Sequence, residues 1–136
     1  MLSAFLACVM LLCGAPTPVS AAPATAGVRP GIAVFLDDVP AALRGKRVGL
    51  ITNNTGIDRS GTSDIDLIAA SDDLTLVALL APEHGIRGTA EAGVTVGDGV
   101  DAKTGVPVYS LYGAQGHSPT PAMLMDVDVL VYDLQE

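Results

Sequence analysis

The sequence predicts an α/β domain with a mainly parallel sheet and flanking helices. Three observations carry that prediction: aliphatic and β-branched runs of strand length, helix-start signals between them, and turn-forming residues where the runs stop. Within 31–45, Ile32, Val34, Leu36, Val39 and Leu43 form an irregular apolar set interrupted by Pro40. This predicts a short helix, a turn at Asp37-Asp38 and a second helical turn ending at Gly45. Residues 47–53 are the first strand, stopping at Asn53-Asn54-Thr55-Gly56. Thr62-Ser63 then offers an N-cap, with Asp64 and Asp66 in the first turn of a helix running to Ala70. Leu74 to Ala81 is continuously apolar apart from Thr75, as expected of a strand covered on both faces. It ends at Pro82-Glu83-His84-Gly85. Residues 106–111 are a shorter strand, 118–125 a helix capped by Ser118-Pro119-Thr120-Pro121, and 127–134 a last strand. A covering helix is expected after such a strand, so the domain at 31–136 is expected to be incomplete.

Composition narrows the function classes. Among 136 residues, 7 are Lys or Arg and 15 are Asp or Glu, a formal net charge of −8. A nucleic-acid binder needs a concentrated cationic surface, which seven scattered basic residues do not supply. Anionic membrane surfaces are disfavoured for the same reason. Leu2 to Gly14 is an apolar run too short to span a bilayer, followed by Pro16 and Pro18, and Val19-Ser20-Ala21 suits a signal peptidase. Residues 1–21 therefore read as a signal peptide and 22–30 as a flexible lead-in. The expected location is secreted or periplasmic, a lipid-anchored form through Cys8 or Cys13 being the lesser alternative. Both cysteines lie in that leader, which leaves no thiol beyond it for a disulfide, a zinc site or a nucleophile.

Two glycine patterns are set aside. Gly97-Asp98-Gly99-Val100-Asp101-Ala102 fits a loose dinucleotide pattern, and Gly97 to Thr104 is one residue from a P-loop. Both motifs need a following helix to hold phosphate, whereas Gly105 and Pro107 break the chain and Asp98 and Asp101 repel anions. No cofactor is expected. There is no G-x-S-x-G elbow, and Glu83-His84 with His117 lacks a helical metal-ligand spacing, so no metal is assigned. If the strands are parallel, Asn53-Asn54, Glu83-His84 and Asp133 share the edge where open α/β sheets bind ligands. Amides, carboxylates and an imidazole gathered there suit a polyhydroxylated ligand, and a half-buried Glu suits proton transfer. Each also has a plainer reading. Asn-Asn-Thr-Gly is turn chemistry, Pro-Glu opens helices, Asp133 can cap an element, and Arg87 can be a solvated loop arginine.

Four blocks in order resemble a known family: 45–56, from Gly45 to Gly56; Pro82-Glu83-His84-Gly85-Ile86-Arg87-Gly88 with Ala92-Gly93; 104–113; and 126–135, ending Tyr132-Asp133-Leu134-Gln135. They are similar to the N-terminal part of the DUF1343 family, whose characterised members are exo-β-N-acetylmuramidases of the NamZ type. The resemblance implies a Rossmann-like catalytic domain and a glycoside hydrolase that removes terminal N-acetylmuramic acid from peptidoglycan-derived saccharides. It implies Glu83 as catalytic acid/base, His84 as its support, Asn53 and Asn54 as sugar contacts, and Arg87 as a contact for the lactyl carboxylate. Asp133 is a candidate second carboxylate. Glu136 stands where the family has Asp, and a non-catalytic cell-wall saccharide-binding module is the alternative class.

Overall fold

The computed structural model describes residues 27–82, 85–88, 97–112 and 117–134. The leader, Glu83 and His84 lie outside the described residues. Helix α1 (Gly31–Asp37) opens after Pro30. Arg29 bridges its last turn by pairing with Asp37 and also donates to the Ala33 carbonyl. Strand β1 (Lys46–Thr52) follows, then α2 (Asp64–Ala69), β2 (Leu74–Ala81), the two-residue β3 (Gly99–Val100), β4 (Pro107–Ser110) and β5 (Val129–Asp133). Ser63 caps α2 as its sequence predicts, its hydroxyl accepting from the Ile65 N–H.

The sheet runs β3-β4-β2-β1-β5. β1 pairs in parallel with β2 and with β5, and β2 in parallel with β4, while β3 is antiparallel to β4. The chain thus winds outward from β1 through β2 to β4, then returns to lay β5 on the other side of β1. That reversal is a topological switch point between β1 and β5, and the carboxyl ends of both strands meet there.

Two apolar layers cover the sheet. On one face Val48 and Leu50 of β1, Leu74, Leu76, Leu79 and Ala81 of β2 and Val108 of β4 pack against Ile32 of α1 and Ile65 and Ile68 of α2. On the other, Ala78, Leu80 and Leu111 meet Met123, with Ile51, Tyr109, Leu124 and Val127 around them. A register shift lets Val48 and Gly49 pair with Leu76 and Ala78, so Leu76 and Leu79 reach the same face across one bulge. Gly49 has no side chain because Leu130 and Val127 lie over it; a Cβ would sit 2.9 Å from the Leu130 side chain.

The helix expected over 118–125 is instead a set of hydrogen-bonded turns. Met123 donates to the Thr120 carbonyl and Val127 to that of Leu124, three residues back in each case. With Pro119 and Pro121 opening the segment and Val127 already committed to the second core, it does not extend into a regular helix. The glycine pattern at 97–102 forms the β3–β4 hairpin, not a strand feeding a helix.

Candidate active site

At the switch point, β1 ends with Thr52, followed by Asn53, and β5 ends with Asp133. Thr52 is fully buried, as is Asp64 at the start of α2, twelve residues later. The Thr52 hydroxyl lies 2.5 Å from Asp64 Oδ2 and 3.0 Å from the Asp133 carbonyl oxygen. Asp64 Oδ1 accepts from the Ile65 N–H at 2.7 Å and from the Ser63 hydroxyl at 3.2 Å. Burial pushes the Asp64 carboxyl up to about 6, helped by the nearby Asp133 charge and opposed by these hydrogen bonds. Desolvation also raises Asp133, whose side chain borders a notch lined by Gly31, Ile32, Phe35, Val131 and Tyr132.

The β1–α2 loop closes over this pair. The Asp64 N–H donates to the Gly56 carbonyl, Ile57 bridges Ser63 in antiparallel fashion, and Asp58 accepts from the Ser60 and Thr62 backbone. Gly56 lies directly on the buried acid, where a Cβ would fall 2.4 Å from Asp64 Oδ2. Asn53 and Asn54 have different tasks. Asn53 Oδ1 accepts from both the N–H and the hydroxyl of Thr55, an Asx turn that shapes the loop. Asn54 is exposed. Beside it passes Gly88, at φ +66, so closely that a Cβ would meet the Asn54 side chain at 2.8 Å. The loops following β1 and β2 therefore touch at Asn54 and Gly88.

Arg87 is not a free cation. Its Nε and Nη2 donate to the two oxygens of Asp101 at 2.6 and 2.8 Å, and Nη2 also reaches Asp66 at 2.9 Å. Both carboxylates are held below the usual range, Asp101 most strongly, by the guanidinium and, for Asp101, by the Thr104 hydroxyl and N–H. Lys103 adds a second cation on Asp66. Arg87, expected to contact a lactyl carboxylate, forms a clamp that ties the loop after β2 to α2 and to the turn before β4. Two buried or half-buried carboxylates saturate its fork, so an incoming anion would have to displace one of them. Leu111 and Tyr109 are core, whereas Tyr112 is exposed, its ring 5.0 Å from that of His117. Among the described residues, no three His, Cys, Asp or Glu side chains converge to hold a metal ion.

Asp64, Thr52, Asp66 and Asp101 did not stand out in the sequence. Asp64 and Asp66 read as first-turn helix acids, and only the winding of the chain puts the first on Thr52 and the second on Arg87.

Comparison with known proteins agrees with this architecture. The family model "Exo-beta-N-acetylmuramidase NamZ, N-terminal" matches residues 48–136. The peptidoglycan beta-N-acetylmuramidase NamZ of Bacillus subtilis (strain 168) is 50% identical over 109 residues, covering 80% of this chain and 26% of that protein. A crystal structure of a DUF1343 family protein from Bacteroides fragilis aligns with TM-score 0.68 and 49% identity over 79% of this chain and 26% of that one. A second from the same organism aligns with TM-score 0.58 and 29% identity, over 78% and 25%. The chain spans about a quarter of the length of these relatives. With four strands in parallel and a model match over most of its length, the chain belongs to the NamZ N-terminal family, also known as DUF1343.

Proposed function

We propose that this chain forms the cleft-bearing N-terminal part of an exported exo-β-N-acetylmuramidase, acting on the terminal N-acetylmuramic acid of peptidoglycan-derived saccharides. The observation that carries this is the switch point between β1 and β5, where an exposed Asn54 after β1 stands between the half-buried Asp133 of β5 and the end of β2, which leads into Glu83. Membership of the NamZ family supports the saccharide, and the apolar leader with its small-residue cleavage pattern supports export.

In this mechanism Glu83 donates its proton to the bridging oxygen as the bond from that oxygen to the anomeric carbon of the muramic acid breaks. Water then adds to that carbon, and its proton returns to Glu83. His84 orients the Glu83 carboxyl. Asn54 hydrogen-bonds sugar hydroxyls, while Asn53 shapes the loop that presents it and offers its amide donors at the rim. Asp133 stands as the second carboxyl, its charge placed to stabilise the positive charge that develops at the anomeric carbon. Arg87 holds the loop and receives no substrate role.

The test uses the gene product that contains this chain and a disaccharide with muramic acid at its non-reducing end. Release of muramic acid is expected, and Glu83→Gln should abolish it, a loss of at least about 100-fold, while leaving binding within a few-fold. Unchanged turnover in that variant removes Glu83 from the chemistry. Binding by the parent protein without any cleavage identifies a saccharide-binding module instead.

A further inference from the structure

A hydroxyl has one proton to give. Around the Thr52 oxygen stand Asp64 Oδ2 at 2.5 Å, the Asp133 carbonyl at 3.0 Å and the Asn53 carbonyl at 3.3 Å. If Asp64 were ionised, Thr52 would spend its proton on the carboxylate, and its oxygen would face the Asp133 carbonyl with no hydrogen between them. If Asp64 carries the proton, the two shorter contacts are both satisfied: Asp64 donates to Thr52, and Thr52 donates onward to the Asp133 carbonyl, the nearer of the two carbonyls. The other carboxyl oxygen fits only the acceptor role, since it already receives the Ile65 N–H and the Ser63 hydroxyl. Oδ2 is therefore the protonated oxygen. No solvent reaches the group, so neither contact can be replaced by water.

We propose that Asp64, as a neutral acid with its proton on Oδ2, is a positioning residue for the cleft, locking the carboxyl end of β1 to that of β5 through Thr52. Asp64 touches no substrate. It acts through Thr52, which fixes the backbone at Asp133, and through Gly56, whose carbonyl accepts the Asp64 N–H and which holds the Asn53-Asn54 turn onto the helix. The groups facing it are Thr52 from β1, Gly56 and Ser63 from the loop and Asp133 from β5; of these only Asp133 titrates, and its negative charge favours the neutral form of Asp64. On its own helix, Asp66 is turned away and paired with Arg87 and Lys103. Loss of the Asp64 proton breaks the relay at its first link, so the two strand ends lose their tie as pH rises through about 6. The role in binding rests on the proposed saccharide cleft; the protonation does not.

Three readouts on the gene product that contains this chain test the proposal. Carbon NMR of the Asp64 carboxyl should show the protonated form at about pH 5 and titration near 6, with the Asn54 and Asp133 amides shifting in step. Asp64→Asn keeps a donor towards Thr52 and an acceptor for Ile65. Its urea midpoint should come closest to that of the parent protein at about pH 4, below which the parent's Asp64 is protonated folded and unfolded alike, and exceed it at about pH 8, while Asp64→Ala falls below the parent at both. Muramic acid disaccharide should bind the parent several-fold more weakly at the higher pH and Asp64→Asn equally at both. An ionised Asp64 at about pH 5, or an asparagine variant weaker than the parent at both values, overturns the proposal. If the parent binds no saccharide at either pH, the cleft assignment fails, and the first two readouts still decide the state of Asp64.

Discussion

Asp64, at the start of α2, and Asp101, just after β3, are both buried acids, yet their surroundings drive them in opposite directions. Asp64 has only neutral donors around it, so desolvation dominates and its folded pKa rises above the unfolded value. Its stabilising contribution is complete below the unfolded pKa and is lost as pH climbs from about 4 to about 6, on the order of 2–3 kcal/mol. Asp101 has the Arg87 guanidinium, so its pKa falls and its contribution is present above the unfolded value and lost on acidification. Together these two groups place the stability maximum near the unfolded carboxyl pKa, at about pH 4, which urea denaturation across pH measures. Arg87→Ala should cost about 2–3 kcal/mol at neutral pH, somewhat less than loss of a partner in a fully buried pair, because the guanidinium keeps part of its surface in water. That cost should shrink below about pH 4, where unfolded Asp101 takes up a proton that the folded ion pair resists; a cost independent of pH would mean that the arginine stabilises by packing alone.

The strands were legible in the sequence because burial on both faces writes itself as uninterrupted aliphatic runs: the expected 74–81 and the observed Leu74–Ala81 coincide. The Ser63 cap was legible for an equally local reason, the hydroxyl lying immediately before the helix. The segment at 118–125 misled because Ser-Pro-Thr-Pro is as good an opening for a turn as for a helix, and only packing of Met123 and Leu124 on the second face decides. Nor does spacing along the chain give away the Arg87 clamp, since Asp66, Arg87 and Asp101 come from three different segments. The contact between the loops after β1 and β2 belongs to the same class and rests on one glycine. Gly88→Ala places a Cβ on Asn54 and forces a side chain into left-handed backbone. We expect about 1–3 kcal/mol of destabilisation and a larger proportional loss of saccharide affinity, whereas Gly105→Ala, with the same backbone sign but open space around it, should affect stability alone. Equal affinity losses in the two variants would separate the loop contact from binding.

The winding of the whole sheet does what no single motif does. Stepping out from β1 to β4 and back to β5 brings residues some eighty positions apart, Thr52 and Asp133, into one hydrogen bond, and puts Asn54, Gly88 and Asp133 along one rim. The opposite rim is built differently. There Arg47 donates to Asp126 and Asp128 and fastens the start of β1 to the approach to β5, a surface ion cluster with no gathered amides or buried acid among the described residues. The two rims therefore make a direct contrast for a ligand. In the Glu83→Gln form of the gene product, titration with a muramic acid disaccharide, followed by backbone amide shifts, should move signals from Asn53 to Gly56, Ile86 to Gly88 and Tyr132 to Leu134. Shifts confined to Lys46, Arg47 and Asp126 to Val129, or no shifts at all, would contradict a saccharide cleft at the β1–β5 switch point.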